Sequence, residues 1–70
     1  MVHLRVIAPP ALAESAYRVV REHPSALNLV RLRGAAEQPE GDLILCDVAR
    51  EDASLVVAEL RSLGLERTAR

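Results

Sequence analysis

Residues 41–65 read GDLILCDVAREDASLVVAELRSLGL, and the hydrophobic period changes partway through. From Leu43 to Val48 it is two, with Ile44, Cys46 and Val48 on one side and Leu43, Leu45 and Asp47 on the other. From Arg50 it lengthens to three and four, so that Ala53, Val56, Val57, Leu60 and Leu63 form one stripe. A strand running straight into an amphipathic helix is therefore predicted. Glu51 and Asp52 suit the positive end of that helix's dipole. Gly64 is placed for a left-handed cap that lets Leu65 fold back on Leu60.

The same alternation of periods precedes this stretch. Residues 2–8 set Val2, Leu4, Val6 and Ala8 against His3, Arg5 and Ile7, the pattern of a strand. Pro9 and Pro10 end it and suit a helix's opening turn, where the amide that proline lacks would be unpaired. Between Ala11 and His23, Leu12, Ala16, Val19 and Val20 share a stripe, Glu14, Arg18 and Glu22 form a charged ladder, and Pro24 closes the helix. Tyr17 lies at the boundary of the stripe, where it pads the edge of the core. From Leu27 to Arg33 a second strand is expected, with Val30 and Leu32 on one face and Leu29, Arg31 and Arg33 on the other. Gly34 to Gly41, Gly-bounded and polar, reads as a hairpin loop.

The resulting order is strand, helix, strand, strand, helix. That order predicts an α+β fold, a ferredoxin-like βαββα(β) sandwich with an antiparallel sheet, both helices on one face, and a fourth strand short or missing. Residues 1–65 would be the single domain, and 66–70 a tail or the start of a truncated fourth strand beside the first. A first strand without that neighbour has an edge open to another chain.

Seventy residues with half of them apolar make one small domain that buries about 60% of its unfolded surface. The lone Cys46 makes no internal disulfide and, on the core face of a strand, behaves as a small hydrophobe. With Tyr17 the only aromatic residue, the core rests on Leu, Val, Ile and Ala. Nine arginines, no lysines and ten acidic residues give a net charge of −1, too little to draw the chain to nucleic acid. Nowhere do 18 apolar residues run together, as a membrane helix requires.

Several chemistries that this fold can host are disfavoured. Metal-carrying domains of this order need a Cys-x-x-Cys loop where this chain has Ala8-Pro9-Pro10. Acyl phosphatases cradle phosphate with amides of the same loop, and two prolines remove two donors. RNA-recognition motifs stack bases on aromatic residues of the central strands, where this sequence offers His3, Arg5, Ile7, Leu43, Leu45 and Asp47. His3 and His23 stand too far apart in sequence to read as a metal pair. The serines have no partnered histidine. No enzyme activity and no cofactor or metal is expected, and nucleic acid is not an expected partner.

What remains is the sheet face turned away from the helices. On this reading Arg5, Ile7, Leu29, Arg31, Arg33, Leu43, Leu45 and Asp47 lie there, four apolar side chains rimmed by arginines, with Arg5 opposite Asp47 as a cross-strand pair. Such a face is an interface for a homodimer or another partner. The alternative is a regulatory domain that senses a small ligand at a dimer interface, with Pro9-Pro10 in place of the glycine-containing loop those domains use; which ligand is unknown.

Local runs across nearly the whole chain also resemble a known family. They are His3-Leu4-Arg5-Val6-Ile7, Asn28-Leu29-Val30 with Arg33-Gly34-Ala35-Ala36, Gly41-Asp42, Asp47-Val48-Ala49-Arg50-Glu51, Leu60-Arg61 and Leu63-Gly64-Leu65. Together they resemble the N-terminal segment of a bacterial family of uncharacterised hydrophobic membrane proteins, domain of unknown function family 389. The resemblance implies a soluble, cytoplasmic domain that precedes a bundle of membrane helices and contacts them, in a family whose members continue with a further short strand. It implies no substrate.

Overall fold

A computed structural model describes residues 1–65 and 68–69. The chain is α+β, with an antiparallel sheet and two helices. β1 spans Val2–Ala8, α1 Ala13–Glu22, β2 Leu27–Glu37, β3 Glu40–Val48, α2 Arg50–Ser62 and β4 Thr68–Ala69. β3 lies between β1 and β2, and the two residues of β4 pair with Arg5 and Val6 on the other side of β1. The fourth strand is thus short rather than missing. Glu66, Arg67 and Arg70 of the expected tail lie outside the described residues.

The period-2 reading of β1 and β3 places the core. Leu4, Val6, Ala8, Ile44, Cys46 and Val48 are all buried and pack with Ala13, Ala16 and Val20 of α1 and Ala53, Val56, Val57 and Leu60 of α2. Both helices therefore cover one face of the sheet. Gly64 takes the cap conformation at φ +102°, and Leu65 joins the core. Burial raises the Cys46 thiol above its ordinary pKa, with the Asp47 carboxylate adding to the shift. The thiolate is disfavoured.

Three local expectations are corrected. α1 begins at Ala13 instead of Ala11, because Pro9 and Pro10 form a turn of their own in which the Leu12 amide donates to the Pro9 carbonyl (2.9 Å). The helix ends at Glu22, and His23, before Pro24, is extended (ψ 126°), as the steric demand of the proline ring requires. The hairpin loop expected from Gly34 to Gly41 is instead mostly strand. β2 continues to Glu37, β3 starts at Glu40, and only Gln38 and Pro39 turn.

β2 can extend this far because it is irregular. Its register against β3 shifts twice, between Leu27 and Val30 and between Leu32 and Ala36. In the first shift three residues of β2 match two of β3, so one extra residue is inserted. Asn28, at φ 54°, absorbs it; asparagine tolerates the left-handed region better than most residues. Gly34, at φ 66°, lies in the second shift.

The glycines of the hairpin differ in what they require. Gly41 is buried against β1, where a Cβ would collide with the Ala8 carbonyl. A Cβ on Gly34 would meet open space, so only the backbone conformation resists substitution there. Gly41→Ala is expected to cost at least about 2 kcal/mol, since strand must move from strand. Gly34→Ala should cost about 1 kcal/mol for its left-handed conformation. Urea unfolding of the two variants checks the order, and equal costs would refute the close approach at Gly41.

Candidate interaction surface

In an antiparallel sheet, residues opposite one another share a face. The register therefore fixes the surface turned away from the helices as three ranks of three. Leu27, Asp47 and His3 form the first, Val30, Leu45 and Arg5 the second, and Leu32, Leu43 and Ile7 the third, each read across β2, β3 and β1. Six of the nine side chains are apolar. On β2, Leu27, Val30 and Leu32 are 54%, 44% and 45% exposed. That is a contiguous column of half-bare aliphatic residues rather than scattered surface ones.

Five of the expected residues stand on this face: Arg5, Ile7, Leu43, Leu45 and Asp47. Leu29, Arg31 and Arg33 do not. The inserted residue at Asn28 reverses the side that the rest of the strand presents, because successive residues point to opposite faces. Leu29 packs against the core, and Val30 and Leu32, expected inward, point outward. Arg33 also belongs to the helix side, where its charge lowers the carboxyl pKa values of Glu14 and Asp42. Leu27, Val30, Leu32 and Asn28 were not expected on the open face. The one sequence signal for them is Asn28 itself, a residue favoured where an inserted position needs positive φ.

Arg31 fills the corner that the reversal makes. Its side chain is 11% exposed, and its guanidinium sits 4.8 Å from the Tyr17 ring centroid. Nη1 donates to Glu14 of α1 (2.8 Å). Nε and Nη2 both reach Asp42 Oδ2 (3.0 Å each). The other Asp42 oxygen accepts the Gly34 amide at 2.9 Å. That amide is the main cause holding the Asp42 carboxyl below its ordinary range, opposed by partial burial and aided by Arg31. Hydrogen bonding to Arg31 likewise lowers Glu14, and the bond to Glu14 raises Arg31. Helix, edge strand and central strand are joined at one point.

A second knot stands at the opposite end of the open face. Asp47 accepts from Asn28 Nδ2 (2.8 Å) and contacts His3 Nδ1 directly across the β1–β3 pair. The Asn28 bond is the chief cause of a lowered Asp47 carboxyl pKa, with His3 contributing after it. The expected Arg5–Asp47 pair within one chain is thus not formed. Arg5 is exposed and makes no ion pair among the described residues. A shallow depression lies between these groups, lined by His3, Arg5, Asn28, Val30, Leu45 and Asp47.

Contrary to expectation one serine does meet a histidine, since Ser25 Oγ lies 3.2 Å from His23 Nδ1, but the Ser25 amide also donates to that nitrogen (3.3 Å), so the contact is a local turn. Among the described residues no three His, Cys, Asp or Glu side chains cluster as metal ligands, and no buried side chain is polar or charged. No helix among the described residues is long and apolar enough to cross a membrane.

The two knots give stability a defined acid dependence. Glu14, Asp42 and Asp47 have folded pKa values below their unfolded ones, so between the two the unfolded chain binds more protons and stability rises with pH. Their contribution is complete only above the ordinary carboxylate range, about pH 5, and is lost as pH falls through the lowered values. Urea midpoints should therefore drop steeply below about pH 4, and less steeply in Asp42→Asn and Asp47→Asn. Unchanged slopes in both variants would reject the knots. Comparison with known proteins finds no matching family model, curated protein or solved structure.

Proposed function

We propose that this chain is a non-catalytic interaction and regulatory module, of ferredoxin-like arrangement, that associates through the open face of its sheet. The observation that carries the reading is the contrast between the two sheet faces. One is sealed by helices over an apolar core, while the other presents six apolar side chains across three strands. Contiguous apolar surface with a polar margin is the character of a binding surface. Support for the ferredoxin-like arrangement comes from the β2-β3-β1-β4 neighbour order with both helices on one side.

Within this proposal, and on the sequence resemblance alone, the module would belong to a bacterial membrane protein, ahead of its membrane helices and on the cytoplasmic side. The partner is then protein surface, either a second copy or the parent's own helices. The edge of β1 is a weaker route, since β4 already pairs with its middle at Arg5 and Val6.

Serine substitution tests the face. Val30→Ser/Leu45→Ser should abolish concentration-dependent association seen by sedimentation and lower the uptake of an apolar dye. Leu55→Ser, on an equally bare residue of α2, should change neither. A chain that stays monomeric, with dye uptake indifferent to the two face substitutions, would refute the proposal.

A further inference from the structure

Taking the open face as the associating surface, we infer that its occupant is a second copy of the chain, docked about a twofold axis along the diagonal Leu32–Leu45–His3. The inference rests on the interaction reading above and on the three ranks of the face. Strands lie about 4.8 Å apart and same-face residues about 6.7 Å apart along a strand, so the nine positions form an oblong lattice that a reflection at about 45° to the strands maps onto itself to within about 3 Å, a gap side chains can span. A twofold axis lying in the interface reflects one face onto the other. About this diagonal, Val30 meets the partner's Leu43, Leu27 meets the partner's Ile7, and Leu32, Leu45 and His3 each meet their own counterpart.

The charged positions decide between the possible axes. Reflection across the diagonal exchanges the places of Arg5 and Asp47, so each Arg5 guanidinium donates to the partner's Asp47, twice per dimer. Asp47 is suited to a further donor, since its bonds to Asn28 and His3 leave acceptor capacity on both oxygens. Arg5 has no ion-pair partner of its own among the described residues.

The other symmetric placements fail on the same lattice. An axis along the strands stacks Asp47 on Asp47. An axis across them stacks Arg5 on Arg5 and Asp47 on Leu43. The opposite diagonal sets Val30 on Asp47 and Leu43 on Arg5. Only one placement matches apolar with apolar and opposite charge with opposite charge. Its strands cross near a right angle, one of the two ways in which sheets pack face to face, and the contact is isologous, as twofold contacts must be. A net charge of −1 leaves little repulsion between copies. The footprint, roughly 300 Å² per copy from the strand spacings, falls below the range of stable specific interfaces and in that of weak encounters. The dimer should accordingly be weak, populated at roughly hundreds of micromolar.

Mixing two charge variants tests the arrangement. Arg5→Asp alone should lower the association constant by more than about tenfold, because Asp then faces Asp. Asp47→Arg alone should do the same with like cations. Mixed, they should pair with each other, since every contact in the mixed dimer joins opposite charges. Sedimentation of each variant and of the mixture reads the result, with circular dichroism to establish folding. Should Asp47→Arg not fold, Leu32→Cys gives a second reading: on the axis, it should be cross-linked to its counterpart by a short bismaleimide, whereas Leu55→Cys on α2 should not.

A monomeric wild-type chain at millimolar concentration overturns the inference and leaves the interaction reading to its own serine test. Association that Val30→Ser/Leu45→Ser abolishes, but that ignores both charge variants, overturns the diagonal axis alone. Association indifferent to the serine pair overturns both.

Discussion

The placement of Arg31 is the constraint on which the rest of the surface depends. A guanidinium stacked on Tyr17 and shared between Glu14 and Asp42 must point toward the helices. Period-2 geometry then turns both neighbours, Val30 and Leu32, to the other side. The residue inserted at Asn28 makes this compatible with Leu27 standing opposite Asp47, and the Asn28 amide fastens the irregular segment back onto β3. One polar corner on the covered face thus produces an apolar column on the uncovered one. Asp42 serves both ends of the hairpin, since it holds Arg31 with one oxygen and the Gly34 amide with the other.

How much of this is legible in the sequence depends on whether an element is regular. β1, β3 and α2 announce themselves because every residue of a uniform period votes for the same face, and their buried sets match the apolar stripes read from the chain. β2 has an equally clean alternation from Leu29 to Arg33, yet alternation alone fixes which residues share a face, not which face is covered. Polarity suggests that arginines point to solvent, and here that cue misleads. The arginine is satisfied by carboxylates of α1 and β3, from residues 14 and 42, that no local window on β2 contains. Asn28 and Gly34 were the available signs that the ladder is interrupted, but a sequence pattern does not say on which side an interruption leaves the strand. The hairpin is obscured for the same reason, since Gly34 looks like a terminator where the strand continues through it at positive φ.

The irregularities of β2 also bear on how this chain can associate. Among the described residues β2 is a sheet edge, eleven residues long, and a flat edge of that length would invite pairing through its backbone. Two register shifts and two positive-φ residues break the row of amides and carbonyls into short pieces, which natural sheets use to prevent such pairing. Edge addition is suppressed, whereas the face beside it keeps its aliphatic residues. The same strand discourages one mode of association and equips another.

Energetics sharpen this contrast. Full burial of a Val or Leu side chain is worth about 1.5–3 kcal/mol, so leaving three of them roughly half exposed forgoes a few kcal/mol in a domain whose total stability is only about 5–15 kcal/mol. A register without the insertion would have turned Val30 and Leu32 onto the helices and Arg31 to solvent, the usual economy of a small α+β domain. Instead the chain holds the arginine inward with two oriented hydrogen bonds and a further ion-pair contact to Asp42. The aliphatic column it exposes regains its burial only when something covers it. Stability of the isolated chain does not account for that arrangement, and the association proposed for the open face would.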